Sequence, residues 1–170
     1  RWLCRDGARE PASLCDAVVA YAGEGAFVDR ARDALRRGGE APAAWNQAMR
    51  RLIVAASARR LVDNHAFAAR LQQWTALPDA SHPAVTAIEE ALGRVVAPLA
   101  THHPVLLLVV DGMSLAVHEE LTDDLERLGF HELRDENAGR RWLAVGALPT
   151  VTEVCRTSLL CGRLMSGNDE

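Results

Sequence analysis

Val105-Leu-Leu-Leu-Val-Val-Asp111-Gly112 is the stretch on which the fold turns. Six consecutive aliphatic residues are too few to cross a bilayer and leave no polar face, which predicts a buried strand covered on both sides. Helices must then flank it. Asp111-Gly112 ends the strand, and a helix follows in which Val117, Leu121, Leu125 and Leu128 line one face. Its other face carries Glu119, Glu120, Asp123 and Glu126, and Gly129 stops it. Trp142 to Ala147 reads as a second short strand, Pro149-Thr150 as its exit, and Glu153 to Cys161 as a further helix ended by Gly162. This is α/β grammar.

Upstream the pattern is different. From about Ser13 to Leu99 apolar residues recur at spacings of three and four, as helices require. Phe27/Val28, Ala31 and Ala34/Leu35 make one stripe; Met49, Leu52/Ile53 and Ala56 make another, continued by Phe67, Leu71 and Trp74. Val85, Ile88, Leu92 and Val95/Val96 form the last stripe before the strand. Breaks fall at Gly38-Gly39, Pro42 and Leu77-Pro78-Asp79, and Ser81 followed by Pro83 has the form of a helix start. Four or five antiparallel helices are expected. The domain boundary belongs near 100 to 104, dividing a helical region, 1–100, from an α/β region, 101–170.

With 170 residues, 49% of them hydrophobic, the chain is long enough to bury a core. A net charge of -4 excludes a broadly basic surface, while leaving local basic patches and a direct nucleic-acid contact open. The basic residues other than His are all Arg, most simply read as solvated helix faces. The four cysteines form no CxxC pair, and neither an 18-residue apolar stretch nor a secretory leader occurs, so a reducing, cytoplasmic, non-membrane protein is expected. Cys4, Cys15 and Cys161 read as small buried side chains. The six histidines show no finger or metalloprotease spacing and read as structural. A start at Arg1 and an end at Glu170 suggest an excerpt of a longer protein.

Asp111 stands where ligands collect in open α/β sheets, at the carboxyl end of a strand, and its carboxylate suits zinc, manganese or magnesium. A turn or a helix cap for the segment beginning at Ser114 is the ordinary role of an Asp so placed. Thr152 opens the last helix, where free backbone N–H groups favour a phosphate; a cap is again the common alternative. An uncoordinated Thr hydroxyl is a poor nucleophile, so Thr152 needs a metal held by Asp111. Arg156, four residues on, shares its helix face and could grip phosphoryl oxygens, or be a plain surface Arg.

Together these segments carry a resemblance. Pro149-Thr-Val-Thr152-Glu-Val-Cys-Arg-Thr-Ser158-Leu-Leu-Cys-Gly162 resembles the nucleophile segment of alkaline-phosphatase-superfamily phosphodiesterases and nucleotide pyrophosphatases. Asp111-Gly112 after an aliphatic strand resembles their first metal motif. The paired strings VLLLVVDGMS and LPTVTEVCRTSLLCG are similar to the PglZ family of bacteriophage-exclusion (BREX) systems, of the type 2 branch. Glu24-Gly-Ala-Phe-Val-Asp-Arg30 and Val95-Val-Ala-Pro-Leu99 add a less specific likeness. The resemblance implies a mainly helical N-terminal region followed by the first strands and helices of an alkaline-phosphatase-like domain, truncated here. It makes Asp111 and Thr152 ligands of a two-zinc centre, with Thr152 the nucleophile of phosphoryl transfer and Arg156 a phosphoryl contact. The remaining Asp and His ligands would lie downstream, no His of this chain matching them. Cys155 occupies the place where the nucleotide pyrophosphatases carry an Asn. The implied substrate is a phosphate ester or nucleotide and the implied partners are other BREX defence proteins. This piece alone would be inactive, and a non-catalytic scaffold or nucleotide-sensing component is the alternative.

Overall fold

A computed structural model describes residues 3, 11–37, 42–75, 85–134 and 139–166. The protein is mainly helical, with one small parallel sheet, and is mixed α/β. It divides into two compact units, 1–80 with 114–130, and 81–113 with 131–170. The boundary expected at 100 to 104 therefore falls inside the second unit, and the helix after Asp111 belongs with the N-terminal helices.

In the first unit, α1 (Leu14–Ala20) starts at a reciprocal cap. Ser13 Oγ accepts from Asp16 N at 3.1 Å, and the Asp16 carboxylate accepts from Ser13 N at 3.1 Å. The helix passes through a π turn, Tyr21–Gly25, into α2 (Ala26–Arg37). At Gly25 a side chain would come within 2.4 Å of the Tyr21 ring, so the ring lies where only glycine leaves room. α3 (Ala43–Thr75) runs 33 residues, about 50 Å at the helical rise, and joins both predicted stripes in one helix. α5 (Leu115–Arg127) packs on α2. The core is small: Leu14, Cys15, Ala17, Ala26, Val28, Ala56 and Ala116 are buried.

Charge joins these helices where aliphatic packing was expected. Arg30 reaches Asp123 at 2.7 Å and Arg37 reaches Glu120 at 2.9 Å, so arginines read as solvated faces pair with the acidic face of α5. The predicted apolar stripe of α5 stays open, with Leu128 75% exposed. Both ion pairs are partly exposed and each is worth no more than about 1 kcal/mol.

In the second unit, β1 (Val85–Ala87) pairs in parallel with β2 (Leu143–Val145), Val85 opposite Leu143 and Ala87 opposite Val145. This corrects the helical reading of Val85. β-branched Val85 and Thr86 are buried on the ladder, and the helical pattern starts only beyond them, in a 3₁₀ turn at Ile88–Glu90. A π turn at Leu92–Val96 leads to α4 (Ala97–Ala100). The breaks proposed at 38–39, 77–79 and 81–83 lie outside the described residues. α6 (Thr152–Cys161) packs on the Ile88–Glu90 turn, burying Val154, Ser158 and Leu159. Ser158 is fully buried, and its Oγ accepts from Met165 N at 3.0 Å. Gly162, at φ 68°, ends α6 in the left-handed conformation that glycine adopts without strain.

The central expectation needs a larger correction. Val105–Val110 is not a buried strand: it pairs with no other segment among the described residues, and Leu106 and Leu108 are 81% and 74% exposed. Its other residues are also open, Leu107 at 44% and Val109 at 48%. Two aliphatic faces specify a place between neighbouring strands and two covering layers, and the described residues bring neither to it. Second-unit stability therefore rests on β1, β2 and α6. Val85→Ala should lower stability by roughly 2 kcal/mol, whereas Leu106→Ala should change it by less than about 0.5 kcal/mol, read as urea midpoints. Equal effects would contradict this division.

Candidate active site

Within the second unit the chain leaves β2 through Gly146 and Ala147, crosses a cis Leu148–Pro149 bond and enters α6. Val151 occupies the N-cap and makes no side-chain cap, so the Thr152 hydroxyl is not spent on its own helix end. It hydrogen-bonds the Asp111 carboxylate instead. Arg156 Nη2 approaches Asp111 Oδ2 at 3.4 Å, an exposed and long ion pair. Gly112, at φ 71°, provides the tight turn after Asp111. The three residues singled out in the sequence, Asp111, Thr152 and Arg156, thus come together although 41 positions separate Asp111 from Thr152.

Asp111 is held ionised below its ordinary value of 3.8. The Thr152 hydroxyl contributes most, partial desolvation opposes it, and the Gly112 backbone N–H and the Arg156 guanidinium add smaller lowering effects. Cys155, in contrast, turns away: its thiol donates to the Ala147 carbonyl at 3.5 Å, beside Gly146. The position of the expected Asn thus serves the turn that feeds α6. Cys15 is buried as expected and burial raises its thiol pKa; Cys161 is exposed, contrary to expectation, because it sits on the open face of the last turn. Cys4 lies outside the described residues.

For a divalent metal, Asp111 and Thr152 supply two oxygen donors of suitable chemistry. Among the described residues no group of three or more His, Cys, Asp or Glu stands close enough to hold an ion. The chain therefore presents two donors of a site and not a closed one. No helix among the described residues is long and apolar enough to cross a membrane.

Sequence reasoning missed a second polar cluster, in the first unit. Asp29 accepts from Tyr21 Oη at 3.2 Å, Arg32 at 2.8 Å and Arg60 at 3.3 Å. The Arg60 guanidinium also lies 5.0 Å from the centre of the Tyr21 ring. Only Asp29 and Arg32, one helical turn apart, were visible as a pair; Arg60 comes from another helix. No family model, curated protein or solved structure matches the chain.

Because the folded pKa of Asp111 is depressed, its stabilising contribution is present above pH 3.8 and is lost as pH falls through the lowered folded value. Thr152→Val should move the Asp111 pKa up toward 3.8 in an NMR carboxyl titration, by more than Arg156→Gln does. An unchanged titration in Thr152→Val would remove the contact.

Proposed function

We propose that the chain carries the nucleophile and one metal ligand of a metal-dependent phosphohydrolase of the PglZ type, with an alkaline-phosphatase-like domain, acting in bacterial antiphage defence. The reading is supported above all by the convergence of Thr152 and Arg156 on the Asp111 carboxylate. The motif likeness names the chemistry, and the geometry makes it feasible. Thr152 is freed from capping, stands at a helix N-terminus whose N–H groups favour a phosphoryl group, and has a carboxylate as its partner. Asp111 and Thr152 would hold zinc, which when bound supplies a lowered hydroxyl pKa and charge neutralisation at the phosphoryl group. Arg156 would shift from Asp111 to non-bridging phosphoryl oxygens, a move its exposed 3.4 Å contact leaves open. Thr152 Oγ would attack phosphorus in line, displace the alcohol and form a phosphothreonine that water then hydrolyses. The further Asp and His ligands would come from sequence beyond residue 170, and other BREX defence proteins would be the partners.

A second reading, a non-catalytic scaffold or nucleotide-sensing component of the same defence complex, is favoured by Cys155. Its thiol faces Ala147 where the nucleotide pyrophosphatases present an Asn to the phosphoryl group.

The 170-residue chain should show weak zinc affinity by calorimetry, weakened further by Asp111→Asn, and negligible hydrolysis of an aryl phosphodiester. Joined to the remaining ligands it should hydrolyse that ester, and Thr152→Ala should reduce kcat at least about 10³-fold. Robust hydrolysis by the short chain, or an unchanged kcat in Thr152→Ala, would overturn the proposal.

A further inference from the structure

The first unit contains a polar cavity of about 240 Å³, below the roughly 300–1,000 Å³ typical of drug-sized ligands. Three guanidinium groups line it, those of Arg32, Arg36 and Arg60, with Tyr21 and Asn64. Asp29 and Asp33 pair with these arginines, and Asp63 meets Arg60 at 3.5 Å without lining the cavity. Charge is therefore nearly balanced, and the case rests on donors left over.

Two sets remain. Arg32 Nε is buried and has no acceptor among the described residues, although its other nitrogens reach Asp29 and Ser57. A buried donor without an acceptor is unfavourable, and an oxyanion would relieve it. The cavity is also lined by Ser114 and Ala116, at the N-terminus of α5. There Ser114 Oγ accepts from Val117 N and Ser114 O from His118 N, which leaves the Leu115 and Ala116 N–H groups without helical acceptors. Free N–H groups at the positive end of a 13-residue helix, facing guanidinium groups, are the elements of an oxyanion site.

We infer that this cavity binds a phosphate group, carried as inorganic phosphate or as the phosphate of a mononucleotide. The site is separate from Asp111 and Thr152 and does not depend on the activity proposed for them. Arg36 is the residue to vary: its side chain is 51% exposed, and it takes no part in the cluster of Asp29, Arg32 and Arg60.

The test is an NMR titration of the 170-residue protein with inorganic phosphate, AMP and adenosine. Phosphate should shift resonances of Arg32, Arg60, Leu115 and Ala116, and added salt should weaken the binding. Arg36→Glu should reduce affinity at least tenfold while leaving the thermal unfolding curve in place. AMP binding more tightly than phosphate identifies a nucleotide ligand, and equal binding identifies phosphate alone; either supports the site. No shift up to about 10 mM phosphate, shifts confined to Thr152 and Arg156, adenosine binding as well as AMP, or an unaffected Arg36→Glu would each overturn it.

Discussion

The parallel pairing of β1 with β2 is the constraint on which the candidate site depends. Three residues on each side form the ladder, and Val85 and Val145 are buried on it. So short a sheet has little stability of its own, and the covering helix supplies the rest. α6 lies against the 3₁₀ turn that continues β1, while the chain reaches α6 directly from β2. Both ends of the ladder therefore fix the first turn of α6. That turn carries Thr152, and Arg156 follows one turn later on the same face.

With that turn fixed, Asp111 becomes the point on which local electrostatics converges. A hydroxyl, a backbone amide and a guanidinium all favour its ionised form, the hydroxyl most. The same arrangement makes Asp111 a ready ligand for a cation and orients Thr152 Oγ beside it. Nothing comparable surrounds the histidines, for which the sequence offered no ligand spacing.

Much of the helical organisation was legible because period and capping act locally. Ser13 with Asp16, Ser114 with Val117, and Gly162 after Cys161 all behave as their residue types predict. The same holds for the joint site, since Asp111, Thr152 and Arg156 were singled out before their geometry was known. What failed depended on distant partners. Val85 fits a helical stripe until β2 is beside it, and Val105–Val110 looks buried only if neighbours arrive on both edges. The Arg30 and Arg37 pairs with Asp123 and Glu120, and the cluster around Asp29, join helices far apart in sequence, where no spacing rule reaches.

The central claim is that Thr152 is the group that takes up phosphorus. The direct measurement is quenched-turnover mass spectrometry on a protein carrying this chain together with the remaining metal ligands, incubated with zinc and an aryl phosphate ester. The account predicts a phosphorylated peptide spanning α6 with the modification on Thr152, absent in Thr152→Ala. Turnover with the phosphate on Thr150, Thr157 or Ser158, or with none on this peptide, would contradict it.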